Sequence, residues 1–294
     1  MAGPVTDAHR VTYRENVLLA VQEKKDVFGD LFTYIPELKG KQVQIADIIG
    51  KIEARIDAPE GGDTPDLEGT HEPVWVRPRR IDWGKTLKKE DQIKALTDFR
   101  SEYVQAGVNG IVRAKNQLLA SSLFGARLIG NEVPVSTAWA GKTVAVDYGS
   151  TGTPNRMSVA KILKALENFQ QDDIEIEDEM IGIAMDPQAN RELYDDVTFT
   201  SKDYRDKAVM ENKMVKEILG MPIFVTKRVG QYDSSTLQAA IFCKSGVHWG
   251  PAMPLDVQSA PNPSKQFREH VYLEHWIGFT RSEDAKVQKI LSKK

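Results

Sequence analysis

The sequence predicts an α+β fold, and three observations predict it: one long helical pattern near residue 100, extended ribbons early and late in the chain, and short apolar strands alternating with helices between them. The helical pattern is "LKKEDQIKALTDFRSEYVQAGVNGIVRAKNQLLASSLFG", where Phe99, Tyr103, Ala106, Gly110, Ala114, Leu118 and Ser121 recur at three- and four-residue steps. The early ribbon shows at Lys51, Glu53, Arg55 and Asp57, which alternate with Ile52, Ala54 and Ile56. That period of two belongs to a half-buried strand. The late ribbon is "MPLDVQSAPNPSKQFREHVYLEHWIGFTRS", two strands joined at "APNPS".

The remaining elements follow in order. Asp7 can cap a helix whose stripe is Tyr13, Val17, Val21, Phe28 and Leu31, and Gly40 closes the segment after it. Strand period begins at Val43. A loop rich in Gly, Pro and Asp runs from Pro59 to Pro73, and a second limb, Val74 to Trp83, returns. Residues 43–83 therefore read as a long hairpin with a wide tip, and Pro73 and Pro78 suit an edge because they cannot donate to a ladder. Within the long helix, Gly107 and Gly110 each cost about 1 kcal/mol relative to Ala, which points to the close approach of another backbone. Gly125 and Gly130 end that element. Residues 131–156 are rich in turns. A capped helix, "MSVAKILKALENFQQ", precedes the acid run "DDIEIEDE", the buried strand "MIGIAM" and a helix opened by Pro187. A charged stretch, 195–212, leads to "KEILGMPIFVTKRVG" and the apolar strand "LQAAIFCKSGV"; "AKVQKIL" is the last strand.

Composition excludes several classes of function. With 294 residues, 41% hydrophobic and 28% charged, the chain can bury a sizeable core. A net charge of −3 gives no broad electrostatic footprint for nucleic acid. The single cysteine, Cys243, cannot staple its own chain, and its strand setting makes it buried and inert. No apolar run approaches the roughly 18 residues of a membrane span, and the N-terminus has no signal-peptide pattern, so the expectation is a soluble protein made in a cytoplasm.

No cofactor, metal or catalytic site is expected. "WAGKTV" and "WGKTL" resemble the end of a phosphate-binding loop but hold Ser136 and Arg79 where its first glycine belongs. His270 and His275 fall on opposite faces of a strand and cannot share an ion. His248 beside Trp249 reads as a hydrogen-bonded structural residue. The acid run 172–179 lacks the spacing of a calcium loop and reads as a solvated strand entry.

The hairpin carries the strongest pattern. Asp57, Glu60, Asp63, Asp66, Glu68 and Glu72 face no Lys or Arg between residues 57 and 72, whereas Arg77, Arg79, Arg80, Lys85, Lys88 and Lys89 meet only Asp82 between 73 and 89. An acidic tip and a basic stem are complementary between copies. Trp75 and Trp83 add the aromatic and arginine composition of interfaces. A two-stranded ribbon is marginal alone and must lie against something. The pattern leaves two choices open: a neighbouring copy, or its own domain with both tryptophans in the core.

The order of elements, together with "LGMPIFVTKRV", "STLQAAIFCKSGVHWG" and the run from "PLDVQSAPNPSK" through Gly278 and Arg281 to "AKVQKIL", resembles the major capsid proteins of tailed bacteriophages, the Hong Kong 97 type of fold. The resemblance covers nearly the whole chain. It implies an N-terminal arm over 1–40 and an extended E-loop over 41–90. A peripheral domain with its spine helix follows over 91–149, then an axial domain over 150–250, and the peripheral return strands over 251–294. It also implies that the chain, which begins directly with the arm, carries no sizeable scaffolding segment.

The implied function is structural, not enzymatic: pentamers and hexamers assemble, in the host cytoplasm, into an icosahedral virion shell around double-stranded DNA held without sequence-specific contacts. Scaffolding, portal and cement proteins are the further partners implied, and no membrane is. The expected inter-subunit contacts are Trp75, Arg77, Arg79, Arg80, Trp83, Asp63, Asp66 and Glu68, with few contacts between the arm and its own axial domain. Some family members crosslink a lysine to an asparagine; Lys85, Lys88 and Lys89 lie near the hairpin, but nothing in the sequence identifies a crosslinking asparagine or a catalytic acid, so that chemistry is not carried over. Two alternatives remain at the sequence level: an encapsulin-like compartment, and a soluble α/β hydrolase or nucleotide-binding enzyme.

Overall fold

The structure is a computed structural model, and it describes residues 26–52, 69–86, 100–150, 152–195 and 217–294. Two compact units emerge, one built from Arg80–Lys115 and Met253–Trp276 with Asp26, the other from Val27–Arg79, Asn116–Ala252 and Ile277–Lys294.

The second unit is organised by a six-stranded sheet in the order β7 (Thr143–Val144), β14 (Val287–Lys293), β11 (Thr236–Cys243), β8 (Ile181–Met185), β10 (Met221–Val225) and β9 (Glu217–Ile218). Both faces of its central strands are covered, which is why "IGIAM" is buried at every position. The period of two sorts the side chains. Ile183, Met185, Ile241 and Cys243 join one core cluster with Met157, Ile162, Ala165 and Phe169. Their alternates Ala184, Ala240 and Phe242 join another with Phe28, Phe32, Leu119 and Leu123. Helix α2 (Val159–Gln171) lays Lys161, Ile162, Ala165, Asn168 and Phe169 on the first face. Ser158 occupies its N-cap in extended conformation but makes no side-chain cap bond. Helix α3 (Pro187–Asp195) opens on Pro187, with Asp186 Oδ1 accepting from Gln188 N at 2.9 Å.

The long helix α1 (Arg100–Phe124) is present, and residues 91–99 of the predicted span lie outside the described residues. The predicted N-terminal helix is also largely outside them. Its described end is a turn, Leu31 and Phe32 both donating to Phe28 O, and it buries Phe28, Leu31 and Phe32.

The hairpin needs one correction. Strands β2 (Val43–Ile49) and β3 (His71–Val76) pair antiparallel from Val43↔Val76 to Ile49↔His71, with a bulge between Gln44 and Ala46. The second limb does not continue to Trp83. Pro78 interrupts it, and β4 (Arg79–Thr86) joins a different sheet, ordered β1 (Thr33–Tyr34), β12 (Val247–Asn262), β13 (Arg268–Arg281), β4. Nor is β3 a free edge: β5 (Arg127–Ile129) and then β6 (Val135–Thr137) extend its sheet. Val74 and Val76 are buried, Val76 against Gly278 of β13. The late ribbon agrees with its reading, β12 and β13 being joined by a tight turn at Pro263–Lys265.

Candidate assembly surface

Trp75 and Arg77 sit at the end of β3. The Trp75 ring is half-buried, and its Nε1 donates to Gly130 O at 2.7 Å. Gly130 holds a φ of +127°, which a side chain rarely adopts, and its own N–H donates to Pro73 O. Arg77 is exposed, and Gln42, its amide oxygen turned toward the guanidinium, accepts from Nε at 3.3 Å. Arg79 is also exposed, its guanidinium 5.6 Å from the centre of the Phe279 ring.

Arg80 and Trp83 belong to the other unit. Arg80 is engaged inside its own chain: Nη2 donates to Tyr272 Oη at 2.8 Å and to Asp82 Oδ2 at 3.3 Å, and Nε lies 3.5 Å from Glu274 Oε1. Trp83 is half-buried against Gly107, where a Cβ would lie 2.6 Å from its ring. The small residue in the helix thus admits a side chain, not the backbone expected. Asp63, Asp66 and Glu68 lie outside the described residues. All five of the expected contact residues that are described have partners in their own chain, but Arg77 and Arg79, on Gln42 and Phe279, stay exposed on the stem.

The start of the arm also touches the acid run, since Lys51 Nζ pairs with Asp173. This is a contact of the kind expected to be rare. Both groups are well exposed, so solvent screens the pair and it adds little to stability. The run itself forms turns. Ile174 and Ile176 pack on the core and Asp173, Glu175, Glu177 and Asp178 face solvent.

Two arginines tie the end of the long helix, the close of β13 and β3 together within the second unit. Arg281 is 1% exposed, and its Nη1 donates to the carbonyls of Ser122, Leu123 and Gly125, each at 3.0 Å. These carbonyls belong to the C-terminal end of α1, where they have no partner within the helix and where its dipole favours a cation. Burial pushes the Arg281 pKa down, and Asp284, 2.6 Å from Nε, opposes this. Arg127 Nη2 reaches Glu72 of β3 at 3.2 Å, and its Nε lies 3.6 Å from the same Asp284. The family resemblance singled out Arg281 but not Arg127. Its signal was a cation two residues past the closing Gly125.

Several other polar groups singled out in the sequence are buried or paired within the chain. Cys243 is buried in β11, its thiol pushed up to about 12 by burial. Burial lowers the pKa of both His248 and His275, and His275 Nδ1 lies 2.9 Å from Met253 O. Lys142 of the first "GKT" pairs with Asp172 at 2.7 Å, and a Cβ on Gly141 would meet Val287 O at 2.6 Å, so no phosphate cradle forms there. Among the described residues no three His, Cys, Asp or Glu side chains group as metal ligands, and no helix is long and apolar enough to cross a membrane.

The model of the phage capsid protein family matches residues 5–294. The chain belongs to the phage capsid protein family. Among solved structures it resembles the capsid protein of cyanophage P-SCSP1u, with a TM-score of 0.72 at 15% identity over 99% of this chain and 95% of that one. The cyanophage Pam1 capsid gives 0.72 at 12% identity, covering 99% and 98%. The capsid of Helicobacter pylori bacteriophage KHP30 gives 0.71 at 10% identity, covering 100% and 99%. At such identities the likeness shows the fold, which is the Hong Kong 97-type capsid fold. No curated protein matches. This phage capsid protein is structural and non-enzymatic, a major capsid protein of the virion, and its structural neighbours are built of repeated subunits.

Proposed function

We propose that this capsid protein assembles as pentamers and hexamers into an icosahedral shell around double-stranded DNA, with residues 41–90 reaching a neighbouring copy. In this reading residues 1–40 are the N-terminal arm, 91–149 and 251–294 the peripheral domain, and 150–250 the axial domain. The observation that carries it is the stem of the arm: Arg77 and Arg79 are exposed there, and residues 57–68 of the sequence hold five acids and no base. Trp75 and Trp83 serve instead to stiffen each copy, through Gly130 and Gly107. The net charge of −3 suits a wall that must not grip DNA tightly, because each neutralised phosphate adds affinity.

Light scattering on the purified protein tests this, with negative-stain images and a nucleic-acid assay beside it. Closed particles of uniform megadalton mass that carry DNA when taken from infected cells are expected. A small fixed oligomer under all conditions overturns assembly by this chain alone, and closed particles free of nucleic acid point to a compartment that houses other cargo. Scaffolding, portal and cement proteins enter as proteins that co-purify with particles.

A further inference from the structure

The last strand carries a lysine whose charge meets no acid among the described residues. Lys289 lies in β14, opposite Ala240 of β11 and beside Thr143 of β7. Among the described residues no carboxylate stands within ion-pair distance of it. Its Nζ instead lies 4.5 Å from the ring centre of Trp139, 4.6 Å from that of Phe124 and 5.1 Å from that of Tyr232. An ammonium within about 6 Å of a ring centre is drawn to the negative face of the ring. Three such faces around one nitrogen form a cage.

The walls come from three separate places in the second unit. Phe124 is the last residue of α1, Trp139 precedes β7, and Tyr232 precedes β11. Two walls are fixed to each other and to the strand. Phe124 and Trp139 meet edge to face at 5.3 Å and 74°, and Trp139 Nε1 donates to Val287 O at 3.3 Å. The Tyr232 backbone is tied by its N–H to Thr236 O at 3.1 Å. Burial pushes the Lys289 pKa down, so the site disfavours the charge except through the rings.

We propose that Phe124, Trp139 and Tyr232 form an alkylammonium-binding cage whose resident ligand is Lys289 of the same chain, and that this cage fastens the C-terminal strand to the end of the long helix. The chemistry it takes is a cation on an alkyl stem. A methylated lysine keeps that charge and fits. An acylated lysine loses it and does not. The competing account is that only the apolar stem of Lys289 packs on the rings, with the charge incidental.

Substitution with chemical rescue separates the two. Lys289→Arg keeps a cation that stacks on aromatic faces, and its melting temperature should stay within about 1 °C of wild type. Lys289→Met keeps the stem without the charge, and should melt about 2–4 °C lower. In Lys289→Gly, n-butylammonium chloride should raise the melting temperature saturably, while n-butanol or sodium chloride at equal concentration should not. Equal melting of Lys289→Met and wild type overturns the proposal, as does rescue by butanol as good as by butylammonium. If Lys289→Gly does not fold, the Arg and Met variants decide the question between them.

Discussion

Lys161 lies on the apolar face of α2, 0% exposed, and its Nζ donates to the carbonyls of Val146, Asn155 and Leu291 at 2.8, 2.9 and 2.9 Å. Each proton of the ammonium has one acceptor, so the buried charge is fully hydrogen-bonded. Burial nonetheless pushes its pKa down from 10.5 to about 8, against the pull of Glu192 and Asp147. A base with a depressed folded pKa releases its proton more readily when folded. Its contribution to stability is therefore complete above the unfolded value near 10.5 and lost as pH falls through about 8. Denaturant unfolding of wild type and Lys161→Met from pH 7 to 10.5 should show the wild type gaining relative stability with pH, on the order of 2–3 kcal/mol in all. A pH-independent difference would show that the three carbonyls hold the proton through the whole range. The sequence carried a signal for this residue, a lysine among Ile162, Ala165 and Phe169 on one helical face, but a lysine there could equally have snorkelled to water.

Among the elements, the end of α1 and the close of β13 depend on each other. Arg281 takes three carbonyls at that helix end, and a neutral side chain there leaves them without their donor and leaves Asp284 only the more distant Arg127. Arg281→Met should cost about 3–5 kcal/mol, the range for removing one partner of a buried ionic group, measured as a shift in the urea midpoint. Gly278, three residues earlier, is required by packing. A Cβ there would lie 2.4 Å from both Leu38 Cδ1 and Val76 Cγ1. Gly278→Ala should cost about 1–3 kcal/mol by overpacking, with α-helical circular dichroism unchanged. A neutral result would mean that Leu38 and Val76 can shift. The period of β13 and the glycine were both legible in the sequence. What touches the glycine was not, because Leu38 and Val76 are distant in the chain.

For the whole molecule, the arm's charge pattern has to be tested apart from the fold. Arg80 pairs with Asp82, Tyr272 and Glu274 of its own chain, so reversing it would disturb the subunit as well as any interface. Arg77→Glu with Arg79→Glu is the cleaner variant. Such a double reversal should leave the melting temperature within a few degrees of wild type and block or slow particle formation by light scattering. Adding Lys at Asp63, Asp66 and Glu68 should partly restore it. Salt should slow wild-type assembly, since the screening length is about 8 Å at physiological ionic strength and shorter above it. One exposed pair contributes about 0–1 kcal/mol, but a shell repeats the contact at every subunit. Normal particles from the double reversal would reduce the charge split to solvation.

The long helix, the strands around Ile183 and Ile241, the late ribbon and the family likeness could be read from the sequence alone, because period and turn chemistry are local and survive at low identity. So could the burial of Cys243 and the closing role of Gly125. The break of the arm's second limb at Pro78 could not, since a proline that ends a ladder and one that sits on an edge look alike in sequence. The fates of Trp75 and Trp83 were decided by Gly130 and Gly107, and the Lys289 cage by three rings, one at a helix end and two in loops. Such contacts join residues far apart in the chain. No periodicity records them, so only the tertiary structure decided which aromatic and charged groups were already satisfied within the subunit.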